Sequence, residues 1–379
     1  MSDSQINPGI QELSDKCRRC SENEATQKIR SEPVCQKCFT QYVATKAVKR
    51  METYRVRGSS AKAARKLLLP LSFGPSSASL LHILNHHLQG QWDRMNRAAY
   101  ELYVVHIDLY LEEADRKDSA ALLAKYKARF PRHTYTTVGL EEALALDTID
   151  WTALQTNPSE DDSRPATERL QELIGSMSSA SSKSDIISTL LSRLLVDVAK
   201  KNDCESLLFG DSTTRLAEKT LAETAKGRGF SLPWQVSDGT SPYGVGFNYP
   251  LRDILKKELV AFSSLTNPSL AELIKYAEPM AQLSASSKTT TIDDLMIQYF
   301  ESAEENYPSI VANVVRTSSK LKPLSGNQVS ACGICGLPVA EGTDGIFGWG
   351  GDQNSDSRPT REDGQGSVMC YGCSRSING

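Results

Sequence analysis

The chain has 379 residues, of which 39% are hydrophobic and 23% are charged, and its formal net charge is −3. This composition is ordinary for a soluble globular protein of one to three domains, and the mean charge does not indicate a nucleic-acid partner. No apolar run approaches the ~18 residues that span a bilayer, and the first residues lack a signal-peptide pattern. We therefore expect a cytoplasmic protein without membrane contact.

Eight of the nine cysteines form four Cys-x-x-Cys pairs, two near each end of the chain. In a chain that is not exported, such pairs indicate metal binding rather than disulfides, because each turn presents two thiolates to one side. The predicted metal ligands are Cys17, Cys20, Cys35, Cys38, Cys332, Cys335, Cys370 and Cys373. They predict two structural zinc ions, in zinc ribbons at residues 1–40 and 326–379.

The spacing leaves the pairing of these knuckles open. Residues 21–34 between the first two pairs have the length of a zinc-ribbon spacer, whereas residues 336–369 between the last two are a long, polar insertion. Pairing within each end and pairing between the ends both remain possible. One alternative interpretation is a set of buried free thiols, but four regularly spaced pairs rarely arise by chance. The other is a redox motif, but a redox Cys-x-x-Cys begins a helix that follows a strand, and these pairs are not predicted to do so.

A basic, helix-compatible connector at residues 41–66 follows the first cysteine block. It contains one acid, Glu52, and the interleaved aromatic residues Tyr42 and Tyr54. Local positive charge of this kind predicts contacts with RNA phosphates, and the alternative is a solvated helix face. The predicted RNA-binding residues are Lys46, Lys49, Arg50, Arg55, Arg57, Lys62, Arg65 and Lys66.

The next segment, residues 66–84, reads KLLLPLSFGPSSASLLHIL. An apolar run, a Ser/Gly/Pro turn and a second apolar run with helical spacing predict a strand, a tight loop and a helix. Free backbone N–H groups and the helix dipole meet in such a loop, so it has an anion-binding geometry. A strand at 101–111, a helix at about 112–129 and a strand at 133–140 are predicted to follow.

Between residues 151 and 184 the chain is rich in Ser, Pro and Gly, which predicts mobile surface loops. A helix at 185–204, a strand at 205–210 and a helix opened by DSTTRLAEKTLAE come next, and mostly helix is expected from about residue 262 to 322. Strand–helix–strand units at these intervals predict a parallel sheet. Cys204 precedes a strand and is interpreted as a small buried hydrophobe.

Residues 72–77, Ser-Phe-Gly-Pro-Ser-Ser, resemble the S-G-G-x-D-S loop of the PP-loop ATPases, which activate a substrate by adenylation. By this resemblance, the cofactor-binding positions are Ser72, Gly74, Ser76 and Ser77. Phe73 puts a ring where glycine lets the backbone approach pyrophosphate, and Ser76 replaces an aspartate that helps to hold a metal–triphosphate ion. We therefore expect a degenerate loop that does not turn over ATP.

The order of motifs extends this resemblance to the two-zinc tRNA thiouridine synthetases, and among them to the second subunits of cytosolic tRNA 2-thiolation complexes. The motifs are CRRC…CQKC, LSFGPSS, VVHID, FGDSTTRLAEKTL, YPLRDILKKEL and CGIC…CYGC. The resemblance implies an α/β fold at residues 67–325, between the two zinc ribbons. This is a Rossmann-like PP-loop domain of the adenine nucleotide α-hydrolase type, with a mainly parallel sheet.

Two further departures from the catalytic relatives concern chemistry. Their central Cys-x-x-Cys corresponds to residues 177–191, which have serines and no thiol, and their GHNxDDxAET-like turn corresponds to residues 210–218, which lack the two adjacent acids. The resemblance therefore implies a non-catalytic subunit that forms a heterodimer with a catalytic PP-loop paralogue. The complex would thiolate the wobble uridine of cytosolic tRNA, with sulfur from a thiocarboxylated ubiquitin-related modifier. The alternatives are an active ATP-dependent tRNA sulfurtransferase and a zinc-ribbon RNA-binding adaptor unrelated to thiolation.

Overall fold

The computed structural model describes residues 16–55, 64–109, 113–154, 164–276, 290–323, 329–340 and 367–378. Its first segment forms a small module with an antiparallel hairpin followed by a helix. These elements are β1 (Gln27–Ile29), β2 (Glu32–Val34) and α1 (Gln36–Arg50). On α1, Phe39, Val43 and Ala47 recur every fourth residue and are buried, so this face anchors the module.

Within the described residues, a six-stranded sheet forms the centre of the protein. Its strands, in spatial order, are β5 (Thr134–Gly139), β4 (Tyr100–Asp108), β3 (Arg65–Pro70), β6 (Ser206–Leu208), β8 (Gly246–Asn248) and β7 (Gly239–Thr240). Only the edge pair β7–β8 is antiparallel. The prediction of an α/β fold with a mainly parallel sheet is confirmed, although the last two strands, β8 and β7, were not predicted.

Helices cover both faces of this sheet, as a parallel sheet requires. In β3, Leu68 belongs to one hydrophobic core, whereas Leu67 and Leu69 belong to a second core on the opposite face. The helices between the strands are α2 (Pro75–Met95), α3 (Glu113–Arg129), α4 (Ala166–Ser176), α5 (Ala180–Lys201), α6 (Thr213–Ala225), α7 (Leu232–Gln235) and α8 (Lys256–Leu265). None of the described helices is long and apolar enough to cross a membrane.

The C-terminal part packs on the same face of the sheet as Leu68. Its elements are α9 (Ile292–Asn306), α10 (Pro308–Ser318), β9 (Val329–Ala331), β10 (Pro338–Ala340) and α11 (Tyr371–Asn378). Helices α9 and α10 lie against α6, and α11 lies against α5. The buried residues Ile334 and Leu337 belong to the core that contains Leu68, so this C-terminal module is part of the main domain.

The stretch from 151 to 184 is more ordered than its composition predicts. Helix α4 lies within it, because Leu170 and Leu173 are one turn apart and both are buried. Residues 155–163, in the same stretch, lie outside the described residues. Polar composition there conceals an amphipathic helix, and the prediction of surface loops throughout is wrong.

The basic connector is not helical throughout. Helix α1 ends at Arg50, a short 3₁₀ turn covers Glu52–Tyr54, and Arg65 already belongs to β3, where it pairs with Tyr100. Arg65 and Lys66 are drawn into the sheet because the apolar residues that follow them form its central strand. The predicted contacts Arg57 and Lys62 lie outside the described residues.

Candidate functional site

The four N-terminal cysteines converge on one point. Their sulfur atoms all lie within 4.8 Å of one another, and the Cys20 and Cys35 sulfurs are 3.8 Å apart. Cys17 and Cys20 lie on a turn before β1, whereas Cys35 caps α1 and Cys38 lies in its first turn. The Cys17 N–H donates to the Asn23 carbonyl, which closes the turn. The hairpin between the knuckles brings them together, as the zinc-ribbon spacing predicts.

The four C-terminal cysteines also converge, although a long segment separates their two pairs. Their sulfurs lie within 4.8 Å of one another, and the Cys335 and Cys370 sulfurs are 3.9 Å apart. Cys332 and Cys335 lie on the turn between β9 and β10, and Cys370 and Cys373 lie at the start of α11. The knuckles therefore pair within each end of the chain, which decides the alternative that the sequence left open.

Each donor set fits a single metal ion. Four sulfurs that lie ~2.3 Å from a tetrahedral zinc ion are about 3.8 Å from one another, and the two sites show separations of 3.8 and 3.9 Å. A four-iron cluster is larger than one ion and holds its thiolates further apart. Since four thiolates complete a tetrahedron, neither site has an open position for a substrate, which is typical of structural metal sites.

Two buried arginines flank the second centre. Arg193, on α5, is 8% exposed, and Arg228, which follows α6, is 3% exposed. Arg193 donates a hydrogen bond to the Thr148 carbonyl at 2.5 Å, and its guanidinium fills the space that a side chain at Gly336 would occupy. Gly336 also has a φ of +72°, so both the backbone and the packing require glycine at this knuckle.

Arg228 connects the second centre to α5. Its guanidinium donates to both oxygens of Asp185, with an Nη1–Oδ1 distance of 2.8 Å, and the Ser376 hydroxyl on α11 donates to the same carboxylate. Burial alone would lower the pKa of Arg228, but the neighbouring Cys373 thiolate and the Asp185 carboxylate raise this pKa well above its ordinary value. Four thiolates around a divalent ion carry an excess negative charge, which buried guanidinium groups offset. Sequence reasoning missed both arginines, because neither lies in a recognisable motif.

The degenerate loop lies between β3 and α2, where a PP-loop has its phosphate cradle. Gly74 immediately precedes α2, and no side chain caps this helix. Phe73 is 2% exposed, and its ring stacks on His106, with the ring centroids 4.1 Å apart. The ring therefore lies in the core, and the prediction that it obstructs the loop is wrong. Phe73 has a φ of 60°, so this bulky residue adopts the left-handed backbone conformation that a glycine adopts more easily.

The loop hydroxyls contact the loop itself. The Ser72 and Ser77 Oγ atoms are 3.1 Å apart, and the Ser77 hydroxyl also donates to the Gly74 carbonyl at 3.2 Å. Ser76 is partly buried. The turn at Gly210 packs directly on the loop, since a Cβ there would lie 3.1 Å from the Ser77 Cα. The structure thus brings the two degenerate motifs into direct contact at Gly210 and Ser77.

The second motif is bound to the rest of the protein. Thr214 and Arg215 occupy the positions of the two adjacent acids in the catalytic relatives' turn. The Thr214 hydroxyl donates to Glu304 on α9 at 3.0 Å, and Arg215 donates to Glu218 at 2.9 Å. The Ser212 hydroxyl caps α6 by accepting a hydrogen bond from the Arg215 N–H. Thr214 thus joins α6 to α9, Ser212 and Arg215 make contacts within α6, and Thr214 and Arg215 present no carboxylate pair to a metal–nucleotide ion.

The central serine segment begins α5. Ser179 caps this helix by accepting a hydrogen bond from the Ser182 N–H at 3.0 Å. All nine cysteines lie among the described residues, and eight of them belong to the two metal centres. The ninth, Cys204, is 5% exposed, and burial raises its pKa to about 11, which agrees with its interpretation as a small buried hydrophobe. No cysteine is therefore available at this position to carry sulfur.

The described RNA-binding candidates fall into two groups. Four of them contact the protein itself: Arg50 with Asp253 (2.5 Å), Arg55 with Glu52 (3.1 Å), Arg65 with Glu205, and Lys66 with the Asn202 carbonyl (3.0 Å). Lys46 lies over the Tyr42 ring, 5.7 Å from its centroid, and Lys49 is exposed on the same helix. Among the described RNA-binding candidates, the two lysines without an ion pair to a described residue, Lys46 and Lys49, thus both lie on α1, next to the first metal centre.

The fold combines a mainly parallel α/β sheet, a loop at the β3–α2 junction and two four-cysteine modules. These features together define the class of protein, which a solved structure identifies. The chain is similar to the solved structure of the U34-tRNA thiolase NcsA from Methanococcus maripaludis with its [4Fe-4S] cluster. The TM-score is 0.56 at 17% identity, over 87% of this chain and 95% of that one. The protein therefore has the PP-loop thiolase fold.

The sequence comparisons then give the family. Residues 291–375 match the family model described as cytoplasmic tRNA 2-thiolation protein 2. A relative of that name from Sclerotinia sclerotiorum is 65% identical over 79% of this chain and 80% of its own length. Another, from Phaeosphaeria nodorum, is 47% identical over 96% of this chain and 95% of its own length. The chain belongs to the cytoplasmic tRNA 2-thiolation protein 2 family, which confirms the resemblance inferred from the order of its motifs.

Proposed function

We propose that this protein is the non-catalytic subunit of a heterodimer that installs 2-thiouridine at the wobble position of cytosolic tRNAs. The names of its relatives support the reaction and the cytoplasmic location. The non-catalytic role is carried by the loop position at which Ser76 replaces the PP-loop aspartate, so no carboxylate is present there to help hold a metal–triphosphate ion. Within the loop the Ser72 and Ser77 Oγ atoms are 3.1 Å apart, and Gly210 packs on Ser77.

The sulfur chemistry supports the same role. Carrying sulfur requires a reactive thiolate or a soft metal cluster. Eight cysteines are committed to the two metal centres, and Cys204 is buried with a raised pKa. Adenylation and sulfur transfer then belong to a catalytic PP-loop paralogue, and a thiocarboxylated ubiquitin-related modifier supplies the sulfur to the complex.

Both metal centres hold zinc in this proposal. The sulfur separations, the all-thiolate ligand sets and the lack of an open position support one zinc ion in each. The ions hold the knuckles together and take no part in the reaction.

The tRNA contacts α1 in this proposal, through Lys46 and Lys49. Neither ammonium group forms an ion pair with a described residue, so both are available to phosphates. Arg50, Arg55, Arg65 and Lys66 pair with the protein and add to the local positive potential without being free contacts.

Reconstitution of the heterodimer with the PP-loop paralogue of the same organism tests the proposal. Ser76→Ala in this chain should leave tRNA thiolation within about twofold of the unaltered complex, because removing one partly buried hydroxyl has little effect away from a working site. The equivalent change in the paralogue's intact loop should reduce thiolation by ~100-fold or more, because it removes a group that stabilises the transition state.

The complex of each variant should stay intact on gel filtration. If Ser76→Ala abolishes thiolation while the two subunits still elute together, this loop is a working site and the chain is itself an enzyme.

A further inference from the structure

The two metal centres differ in how far solvent reaches their cysteines. At the first, Cys20 and Cys38 are partly exposed, whereas Cys17 and Cys35 are at most 4% exposed. Residues 21–23, which follow Cys20, are all exposed, so this knuckle lies at the protein surface. No cysteine of the second centre is more than 6% exposed. A small solute can therefore reach a cysteine of the first centre and not of the second.

Cys20 has the surroundings of an oxidation site. The ligands of a structural zinc site are thiolates, and the thiolate is the form of cysteine that an oxidant attacks. Susceptibility follows thiolate character and exposure, and reversible oxidation needs a second thiol close to the first. The Cys20 sulfur is 3.8 Å from the sulfur of Cys35, which is buried. An oxidant in water therefore meets Cys20 before it meets this neighbour.

The local backbone also favours Cys20 over the other partly exposed ligand. A disulfide holds its sulfurs ~2.05 Å apart, so one ligand must move toward the other. Cys38 lies within α1, whose face with Phe39 and Val43 is buried, and its backbone is fixed by the helix. Cys20 lies on a surface turn, which can move toward Cys35 at the start of α1.

We infer that Cys20 is a site of oxidation by hydroperoxides, with Cys35 as its resolving thiol, and that the first centre is a reversible redox switch. The Cys20 sulfur attacks one oxygen of hydrogen peroxide, so an S–O bond forms, the O–O bond breaks and hydroxide leaves. The Cys35 sulfur then attacks the Cys20 sulfur, so the S–S bond forms, the S–O bond breaks and a second hydroxide leaves. The two thiolates lose two electrons, which reduce the peroxide to two hydroxide ions.

The disulfide removes two of the four ligands of the first centre. Cys17 and Cys38 alone do not complete a tetrahedron and no longer retain a zinc ion. Helix α1 stays in place, because Phe39, Val43 and Ala47 remain buried in the core. Oxidation thus loosens the knuckles without unfolding the domain, and a dithiol reductant restores the ligands. This inference rests on the zinc ions of the proposed function.

Asn23 moderates the reactivity of both thiols. Its side-chain amide donates to the Cys20 sulfur at 3.7 Å and to the Cys35 sulfur at 3.9 Å. A hydrogen bond to a thiolate withdraws electron density from the sulfur, which makes it a weaker nucleophile. Replacement of Asn23 therefore gives a more reactive centre in a chain that keeps all eight metal ligands.

The test measures zinc release from the full chain in excess hydrogen peroxide, with a chromophoric zinc chelator present. One zinc ion per chain should be released. The other should be retained until the chain is denatured, because the second centre has equally close sulfurs, 3.9 Å apart, but is buried. Mass spectrometry of peptides should identify a disulfide between Cys20 and Cys35. Dithiothreitol followed by zinc should restore two ions per chain.

Two asparagine variants test the first centre without removing a ligand. Asn23→Ala should speed zinc release by ~threefold or more, because both hydrogen bonds to sulfur are lost and the thiolates are uncovered. Asn306→Ala is the matched control, since Asn306 is exposed on α9 and its amide donates to the Ser302 carbonyl. This control should release zinc at the rate of the unaltered chain.

Release of both ions at the same rate, or of neither, would overturn the switch and leave the zinc assignment in place. A disulfide between other cysteines, or zinc loss that a reductant does not reverse, would also overturn it. Equal release rates for Asn23→Ala and Asn306→Ala would refute the role of Asn23. Absence of zinc from the untreated chain would overturn both the zinc of the proposed function and the switch.

Discussion

The two metal centres have identical ligands but very different surroundings. At the first, Cys20 and Cys38 are partly exposed, whereas all four cysteines of the second are buried. The first module is attached through one face of α1 and through surface contacts, such as the hydrogen bond from Gln36 to the Leu265 carbonyl. Cys17 and Cys35 nevertheless belong to the hydrophobic core that contains the sheet residues Leu67 and Leu69, so the first centre is a partly exposed extension of that core.

The second centre is part of the domain itself. The Asp150 N–H donates to the Gly333 carbonyl at 2.8 Å, and the Tyr243 hydroxyl donates to the Cys335 carbonyl at 2.5 Å. Its cysteines belong to the same hydrophobic core as the sheet residue Leu68. The same four-thiolate chemistry thus serves a partly exposed site on one core of the domain and a fully buried site in the other core. What a metal site contributes depends on what is packed around it.

The largest expected effect comes from removing one ligand of each centre. Elemental analysis should give two zinc ions in the unaltered chain and one in Cys35→Ser or Cys335→Ser. Apparent binding free energies of structural zinc are ~10–16 kcal/mol, so a three-thiolate site loses much of its stabilisation. Cys335→Ser should lower the main thermal transition strongly, or make the protein insoluble, whereas Cys35→Ser should leave this transition within a few degrees.

Equal loss of the main transition in the two variants would break the comparison between a partly exposed and a fully buried centre. Iron in stoichiometric amount, or no metal at all, would contradict the assignment of zinc.

The second-largest expected effect on stability comes from removing the positive charge of Arg228 beside the second centre. Arg228→Met leaves Asp185 buried without its main partner, and breaking a buried pair on one side costs ~3–5 kcal/mol. The surface pair Arg164–Glu172, with side chains 51% and 65% exposed, provides the control. Arg164→Met should change the free energy of unfolding by less than about 1 kcal/mol. Chemical denaturation of both variants measures this, and similar values would show that Arg228 has no special role.

The pH dependence sharpens this test. Burial alone would raise the pKa of Asp185, but the Arg228 hydrogen bonds hold this pKa below its ordinary value. A carboxyl whose pKa is depressed by folding contributes stability above its unfolded pKa of about 4 and loses it as the pH falls through the folded pKa. Without Arg228, burial raises the pKa of Asp185, so the stability difference between the unaltered chain and Arg228→Met should shrink as the pH falls from this raised pKa to the depressed pKa in the unaltered chain.

The smallest expected effect concerns the first module and RNA. If α1 contacts tRNA phosphates, replacing Lys46 and Lys49 with Glu should weaken tRNA binding of the complex and lower its salt dependence by about two units of slope. The exposed residues Lys320 and Lys322, which follow α10, form the matched control pair. Their replacement with Glu should leave both the affinity and the slope unchanged. Filter binding at several salt concentrations measures both quantities. Equal effects of the two pairs of substitutions would show that α1 is a solvated helix face without specific tRNA contacts.

Local patterns in the sequence determined much of this protein. The eight metal ligands, the strand–loop–helix at residues 66–84 and the mainly parallel sheet follow from spacing and hydrophobic period, which depend on residues close together in the chain. The order of the motifs determined the family. The losses at Ser76 and in the central segment were visible for the same reason, since each is a substitution within a short motif.

Only the tertiary structure decided features that depend on residues far apart in the sequence. One such feature is the pairing of knuckles within each end of the chain. Two others are the placement of Arg193 and Arg228 beside the second centre and the stacking of the Phe73 ring on His106. The sequence pattern showed eight similar basic residues near the first module, but Arg50 and Arg65 are paired with distant acids. Charge composition gives the number of cations, whereas the fold decides which of them meet a partner, because an ion pair requires two side chains to be brought within a few ångströms.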